Sequence, residues 1–289
     1  MGTRLDAVFI NVQSEKADIL ASQINKELDK LEKILSFYRP DSELSILNRN
    51  AYIKDFKVST YLLETINLCI DYYKLTNGVF DAGRAKLTGI KYLDRRDASV
   101  DTSSVLNSSG IELVEIKPDN TIRYHGKDVQ LDPGGFGKGL AMRRVKELLM
   151  AEGIDNALVS FGESSILALG AHPHGDHWPI AVTDIFTRQT VARLARLSNR
   201  SISTSGTGFV DESGIFRPSQ NIIDPRTGNP LVTPLTVSVI SDDPFEAEVL
   251  STSLLIDNNC LSPEFEKSGK EAFAVIYDIR KNFVVKEIF

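Results

Sequence analysis

The chain is poor in cysteine, with only Cys69 and Cys260 among its 289 residues. They lie in the apolar stretches "INLCIDYY" and "LLIDNNCL". Two cysteines in such surroundings are more often buried thiols than the halves of a disulfide. We therefore predict two buried, free thiols.

The sequence also lacks an excess of basic residues, long apolar runs and a leader segment. It has 33 lysines and arginines against 39 aspartates and glutamates, a net charge of -6, which argues against a general nucleic-acid binder because phosphate contacts need a basic face. No run is apolar enough to span a membrane, and "MGTRLDAVFIN" does not have the regions of a signal peptide. The chain as written is expected to be cytoplasmic. If a leader has been trimmed, a periplasmic or lipoprotein location is the expectation instead.

What is present is a globular composition with no fixed-period repeat and no low-complexity linker. Apolar residues at helical spacing predict helices over 15–36, 60–76, 138–152 and 244–256. Short apolar runs predict strands at 4–11, 127–132, 156–161, 165–170, 179–184, 190–198, 201–206, 236–241, 272–278 and 283–288. The short turns between the middle strands favour an antiparallel meander. This order predicts an α+β fold, a largely antiparallel sheet packed with helices, in one domain over residues 1–289.

A glycine-rich turn, "LDPGGFGKGLA" (residues 131–141), leads into the third predicted helix. Its glycines would let the backbone approach a ligand, and the start of the helix offers unpaired N–H groups. Because Lys138 adds a positive charge, a phosphate is a natural ligand for this turn. The alternative is that the glycines serve only a tight turn.

Two polar residues of the fourth predicted helix, Glu248 and Thr252, are four positions apart and lie on one helical face. A carboxylate and a hydroxyl are oxygen ligands suited to Mg²⁺, whereas the simpler interpretation is a solvated glutamate and an ordinary helical threonine. The segment "HPHGDHW" holds His172, His174 and His177. A solvated hairpin loop is the favoured interpretation of that segment, and a metal site the alternative.

The segment "QNIIDPRTG" (residues 220–228) is first of all a turn, because it contains Asp-Pro followed by Thr-Gly. Asp224 could accept hydrogen bonds from the amides of the turn itself, and Arg226 could pair with a carboxylate or a phosphate. Spacing alone does not choose between these roles.

The order of the motifs is more specific than any one of them. The chain contains "MGT", "FYRPDSELSILN", "GVFD", "LDPGGFGKGLA", "NALVSFGES", "STSG", "NIIDPRTG" and "AEVLSTSLL" in that order. In this it resembles the ApbE family of FAD:protein FMN transferases from Met1 to about Ile256. The resemblance implies the ApbE-like fold and the Mg²⁺-dependent transfer of the FMN half of FAD to a Thr or Ser of an acceptor protein, with release of AMP.

The resemblance also implies roles for individual residues. The residues expected to contact FAD are Met1, Tyr38, Val79, Phe80, Asp81, Asp132, Lys138 and Ile223. Mg²⁺ would be held by the backbone carbonyl of Gly135 and the side chains of Glu248 and Thr252. The candidates for the catalytic side of the site are Asn221, Asp224 and Arg226.

The sequence departs from the family pattern at several positions. Asn221 stands where the family has a histidine that is the candidate base, and an amide cannot take a proton from an acceptor hydroxyl at neutral pH. Glu248 replaces the usual Asp, Gly162-Glu163-Ser164 replaces Gly-Gly-Asp, and Arg143 stands where Asp is common. The alternative function is therefore a family member that binds or hydrolyses FAD and is impaired as a transferase.

Overall fold

A computed structural model describes residues 3–87, 102–183, 190–211, 213, 215–219, 221–266, 270–276 and 283–289. Met1, one of the expected flavin contacts, lies outside these residues. The helices are α1 (Ser14–Leu35), α2 (Glu43–Asn50), α3 (Thr60–Leu75), α4 (Thr102–Ser108), α5 (Gly137–Ala151), α6 (Pro244–Ile256) and α7 (Pro263–Glu266). None of the helices in this part of the chain is long and apolar enough to cross a bilayer.

The four long helices lie where apolar periodicity predicts them, within one residue at each end. In α1 the periodic residues Leu20, Ile24, Leu31 and Leu35 are buried against the core. The helix is entered from a turn at Asn11, whose φ is +58°. A helix of this length is fixed by the burial of its apolar face, which its spacing encodes directly.

The strands are short. They are β1 (Leu5–Phe9), β2 (Phe56–Lys57), β3 (Val114–Ile116), β4 (Thr121–Tyr124), β5 (Ala157–Phe161), β6 (Ser165–Leu169), β7 (Trp178–Thr183), β8 (Val191–Leu197), β9 (Arg200–Gly206), β10 (Gly208–Val210), β11 (Phe216–Pro218), β12 (Leu235–Ser241), β13 (Glu271–Ile276) and β14 (Val284–Glu287). Seven of them form the main sheet in the order β1-β5-β6-β9-β12-β13-β14, and every neighbouring pair is antiparallel. The predicted α+β class is confirmed. The single-domain interpretation stays a prediction.

The simple meander, by contrast, is wrong. Among the described strands, β7 and β8 pair only with each other, and β9 returns to lie beside β6. The apolar residues of this separate hairpin pack on one face of the main sheet, where Ile180 and Leu197 share a core cluster with Ile240 and Phe273. The hairpin therefore covers a sheet face that would otherwise be exposed.

The strand expected over 127–132, before the glycine-rich turn, is also wrong. Only Gln130 makes a bridge, and its partner is Arg84. The backbone of the segment pairs instead with the irregular turn at 82–85, through Asp132 N to Ala82 O at 3.0 Å and Gln130 N to Gly83 O at 3.2 Å. A turn offers no regular ladder, so no strand can extend along it.

Helices α5 and α6 cross closely against the main sheet. α6 is buried along almost its whole length. A Cβ atom at Gly139 of α5 would lie 2.7 Å from both Phe245 Cα and Pro244 O, so glycine is required where the two helices approach. This crossing brings the start of α5 against the first turns of α6.

The two cysteines are free and buried, as predicted. Burial raises the pKa of both thiols, that of Cys260 to about 12, where Asp257 adds to the effect. A thiol that does not ionise near neutral pH is a poor nucleophile, so both cysteines have a packing role.

Candidate active site

The glycine-rich turn is a single 3₁₀ turn, Pro133–Gly135, that runs directly into α5. Asp132 caps the turn and accepts a hydrogen bond from Gly134 N at 2.9 Å. Burial raises the pKa of Asp132, opposed by that hydrogen bond. A Cβ atom at Gly135 would meet only Phe80 Cε2, at 3.9 Å, so packing within the chain does not require glycine there.

Asn48 of α2 holds Leu131, which lies just before this turn. Its amide nitrogen donates to Leu131 O and its amide oxygen accepts from Leu131 N, both at 2.9 Å. The same oxygen accepts from the Tyr124 hydroxyl at 3.0 Å. Sequence reasoning assigned no role to Asn48, although it ends the "FYRPDSELSILN" motif. Its partners are about 80 residues away in sequence, so only the fold reveals the contact.

Glu248 of α6 faces the start of α5. One carboxylate oxygen accepts from the Lys138 ammonium and the other accepts from Gly139 N. Glu248 is only 2% exposed, so the solvated interpretation of this residue is wrong. Burial raises the pKa of Glu248, and the neighbouring Lys138 acts in the opposite direction.

Thr252 lies one turn further along α6, beside a group of serine hydroxyls. Its Oγ1 is 2.9 Å from Ser205 Oγ, which is 2.8 Å from Ser251 Oγ. Ser251 Oγ in turn donates to Ser203 Oγ at 3.3 Å. Thr252 thus belongs to a polar network between α6 and β9, and the sequence revealed only its spacing from Glu248.

The Glu248 carboxylate and the Thr252 hydroxyl, near the start of α5, suit a hard cation. Mg²⁺ prefers carboxylate and hydroxyl oxygens as ligands. Glu248 is the one carboxylate among the three residues expected to hold the metal, and both of its oxygens already accept from α5. The described part of the chain contains no group of three or more His, Cys, Asp or Glu placed to hold a metal ion. The histidine segment lies within the described residues and holds no such group. There the His172 ring packs edge-on against the Trp178 ring, with centroids 5.4 Å apart.

The "GVFD" segment follows α3 and forms a wall beside the glycine-rich turn. Val79 and Phe80 are buried, and the Phe80 ring meets Phe136 edge-on with centroids 6.1 Å apart. The Asp81 carboxylate accepts from Gly83 N at 2.8 Å, from Ile111 N at 2.9 Å and from Arg84 Nε at 2.7 Å.

The side chain of Asp81 is therefore committed to its own chain. It can shape the pocket wall by fixing the backbone, whereas direct contact with a ligand would have to displace one of these donors.

The "DPRTG" turn satisfies both roles that spacing left open. Asp224 accepts from Arg226 N at 2.9 Å and from the Arg226 guanidinium at 3.0 Å. Arg226 also donates to Asp257 at 2.8 Å, and Asp257 is the C-cap of α6. Ile223 makes an antiparallel bridge with Pro230, which closes the turn. The turn is thus fastened to the C-terminal end of the helix that carries Glu248 and Thr252.

The remaining two candidates, Tyr38 and Asn221, are exposed. Tyr38 is 89% exposed, and among the described aromatic rings it meets only Phe37, edge-on with centroids 5.6 Å apart. Asn221 lies in the turn before β-bridged Ile223 and faces solvent. An exposed tyrosine ring is available for a planar ligand to stack on.

A family model now supports the resemblance noted in the sequence. The model of the ApbE family matches residues 1–273. The chain belongs to the ApbE family.

Curated relatives carry the name FAD:protein FMN transferase. The protein from Vibrio cholerae is 29% identical over 268 residues, covering 89% of this chain and 79% of the relative. The protein from Klebsiella pneumoniae is 25% identical over 277 residues, covering 91% of this chain and 77% of the relative.

Solved structures agree with this family assignment. Flavin transferase ApbE from Vibrio cholerae superposes with a TM-score of 0.78 at 26% identity, covering 99% of this chain and 94% of that one. The ApbE protein from Thermotoga maritima, at 20% identity and a TM-score of 0.80, shows the fold alone.

Two departures from the ApbE pattern have structural consequences. Glu163 has a φ of +63°, a left-handed conformation that glycine adopts without strain and that glutamate does not. Arg143 pairs with Asp243, the N-cap of α6, and its guanidinium lies 5.2 Å from the centre of the Phe245 ring. Arg143 thereby ties α5 to the beginning of α6, where an aspartate would place a second acid beside Asp243.

Proposed function

We propose that this ApbE-family chain transfers the FMN half of FAD to a Thr or Ser hydroxyl of an acceptor protein and releases AMP. In this reaction the acceptor oxygen forms a phosphoester bond to the FMN phosphorus, and the bond from that phosphorus to the AMP oxygen breaks. The family name of the curated relatives and the fold likeness to a flavin transferase support the proposal.

The observation that carries the proposal is the glycine-rich turn at the start of α5. A Cβ atom at Gly135 would meet only the edge of the Phe80 ring, at 3.9 Å, and the helix that follows begins with N–H groups and Lys138. A turn whose glycine is not required by packing, next to a helix N-terminus and a lysine, suits the close approach of a diphosphate. Asp132 and Lys138 are the proposed FAD contacts in this turn.

Mg²⁺ would be held by Gly135 O, Glu248 and Thr252, and it would supply positive charge to the phosphate oxygens as charge develops on the leaving AMP. The chain's own contribution to this step is positioning. Asn48 fixes the turn from α2, and Arg226 fixes the opposite side through Asp257 of α6. Phosphoryl transfer is accelerated mainly by such placement of charge and reacting groups.

The flavin ring would lie toward Tyr38, the exposed ring that can stack on it. Ile223 and Asp224 would form one wall of the pocket and Val79, Phe80 and Asp81 another. Met1 is an expected contact that lies outside the described residues. Because Asp81 and Asp224 already accept hydrogen bonds from their own segments, we propose that both act by holding the backbone of the wall in place.

The proton of the acceptor hydroxyl has no base at Asn221, because a side-chain amide does not take up a proton at neutral pH. Loss of a general base lowers a rate by about 10² to 10⁴. A slower transferase, an FAD hydrolase and an FAD-binding protein without turnover are therefore the outcomes to separate.

The test combines the protein with FAD, Mg²⁺ and an acceptor domain that another ApbE protein is known to label. Covalent flavin on the acceptor and AMP in solution should appear in equal amounts. AMP without labelled acceptor would replace the transferase proposal with FAD hydrolysis. FAD that stays intact and bound would replace it with flavin binding alone.

A histidine variant tests whether the lack of a base at position 221 limits the rate. Asn221→His should raise the rate of AMP release by about 10²-fold, because an imidazole near its pKa can accept the hydroxyl proton. Asn229→His, placed beyond the glycine of the same turn, is the matched control and should leave the rate unchanged. Equal rates for Asn221→His and the parent protein would show that this position does not limit turnover.

A further inference from the structure

The charge of Glu248 is balanced from within the chain. Its carboxylate is buried, and its two oxygens accept from the Lys138 ammonium and from Gly139 N. Both donors belong to the first turn of α5, whose N–H groups have no partner inside the helix. Lys138 therefore supplies the full positive charge that a buried carboxylate needs, and Gly139 completes its hydrogen bonding.

This arrangement conflicts with a metal ion bound to the same carboxylate. A divalent cation on Glu248 would share an oxygen with an ammonium group already in contact with it, and like charges at that distance repel strongly in a buried site. The geometry also gives Lys138 no second carboxylate, because among the described residues its only ion pair is the one with Glu248. The Lys138 ammonium and a metal ion cannot both bind Glu248 closely.

We propose that Lys138 occupies the place of the metal at Glu248, and that a divalent cation binds there only after the diphosphate of the nucleotide has drawn the ammonium away. The inference rests on the proposed function for its nucleotide. Lys138 is a substrate contact in this scheme. Its ammonium moves from the carboxylate to the phosphate, so that nucleotide binding creates the metal site.

The extra methylene of glutamate is what makes this contact reach. The Glu248 side chain spans from α6 to the backbone N–H of the third residue of α5, at the point where the helices are close enough to require Gly139. A shorter aspartate at 248, the usual family residue, would have to leave one of the two donors unless the helices moved. The competition between lysine and metal is thus a property of this chain's own residue at 248.

The deciding experiment measures Mn²⁺ binding to the nucleotide-free protein, with free Mn²⁺ followed by electron paramagnetic resonance. Lys138→Gln keeps a neutral donor for Glu248 and removes the competing charge, so it should bind Mn²⁺ about ten-fold or more tightly than the parent protein. Lys138→Met should do the same. Lys138→Arg, which keeps the charge, should bind as weakly as the parent.

The matched control is Lys146→Gln, on the same helix, where the lysine donates to Asp242 O at the surface. It should leave Mn²⁺ binding unchanged. Adding Glu248→Gln to Lys138→Gln should abolish the gain in affinity. Lys138→Gln that binds Mn²⁺ no more tightly than the parent protein would overturn the proposal.

A second measurement keeps the test independent of how well the variants fold. The thermal unfolding shift is measured with Mn²⁺, with ADP and with both, in the parent protein and in Lys138→Gln. Mn²⁺ and ADP bind each other in solution equally in both samples, so the difference in coupling between the two proteins reports Lys138. The parent protein should show the larger coupling, and equal coupling would count against the proposal.

The two proposals fail in different ways. If the parent protein does not bind FAD, followed by quenching of flavin fluorescence, the proposed function is wrong while the Mn²⁺ experiment without nucleotide still decides the role of Lys138. If the parent protein labels the acceptor and releases AMP, but Lys138→Gln leaves Mn²⁺ affinity unchanged, the role of Lys138 is wrong and the proposed function stands.

Discussion

The two turns that flank α6 are held in place in opposite ways. The glycine-rich turn at Pro133–Gly135 depends on distant residues, with Asn48 of α2 bonded to the preceding residue and Glu248 of α6 bonded to the start of the following helix. The "DPRTG" turn depends mainly on itself, because Asp224 accepts from the backbone and side chain of Arg226. Among the hydrogen bonds described for this turn, only the one from Arg226 to Asp257 reaches another element.

The difference explains why one turn is recognisable in sequence and the other is ambiguous. A turn fixed by neighbouring side chains carries its structure in its own letters. A glycine-rich turn says only that side chains are absent, and the contacts that shape it come from elsewhere in the chain. Mutations can test whether the glycine-rich turn is supported by distant residues and the "DPRTG" turn by its own.

The largest effect should come from removing the support of the glycine-rich turn. Asn48→Ala leaves both backbone groups of buried Leu131 and the hydroxyl of Tyr124 without their partner. We expect a loss of about 2–3 kcal/mol in the free energy of unfolding, measured by urea denaturation.

Asn50→Ala is the matched control for this variant. Asn50 lies on the same helix and its side chain donates only to Ile46 O of that helix. It should lose no more than about 0.5 kcal/mol. Similar losses for the two variants would show that Asn48 does not fix the turn.

A smaller effect separates two glycines of the same segment. Gly139→Ala places a methyl group 2.7 Å from the backbone of α6 and should cost about 1–3 kcal/mol of stability by overpacking. Gly135→Ala meets only the edge of Phe80 and should leave stability nearly unchanged.

The two glycines should also differ in ligand binding. If Gly135 is open because a ligand approaches it, Gly135→Ala should weaken FAD binding in spite of its normal stability, measured by quenching of flavin fluorescence. Unchanged FAD affinity in Gly135→Ala would show that the ligand does not approach the turn at this position.

The smallest effect should come from the "DPRTG" turn. Arg226→Ala removes partly exposed ion pairs with Asp224 and Asp257, which are screened by solvent, so we expect a loss of no more than about 1 kcal/mol. Arg226→Lys keeps the positive charge but loses the planar guanidinium with its paired donors. It should recover only part of the stability lost in Arg226→Ala.

The stability difference between the parent protein and Arg226→Ala should depend on pH in a definite direction. The hydrogen bond from Arg226, followed by that from Asn259 N, lowers the pKa of Asp257. A carboxyl group with a lowered folded-state pKa stabilises the fold above its unfolded pKa of about 3.9, and that stabilisation is lost as pH falls through the folded pKa. The stability difference between the parent protein and Arg226→Ala should therefore be constant from about pH 7 to 5 and narrow at lower pH. A difference that grows on acidification would contradict the role given to Asp257.

Much of the fold follows from pattern. The four long helices lie within one residue of their predicted ends, and Ser42 and Ser59 cap α2 and α3 as their residue type favours. At the start of α1 the N-cap position is Gln13, which has an extended backbone and makes no side-chain cap.

The site was predicted less completely than the fold. Glu248 and Thr252 could be placed on one helical face from their spacing, but the burial of Glu248 and its contact with Lys138 could not. Lys138 and Glu248 are 110 positions apart in the sequence. A contact of that kind depends on how two helices cross, and the only local trace of the crossing is a glycine at 139.

The sequence by itself determined the positions of the long helices, the mixed class of the fold, the free cysteines and the presence of a turn at residues 224–228. Each of these depends on residues within a few turns or on composition. Only the tertiary structure decided that the strand expected before the glycine-rich turn would not form, that β7 and β8 would cover a sheet face, and that Lys138 would meet Glu248. Those outcomes depend on which distant surfaces are buried against each other, and burial is a property of the folded chain as a whole.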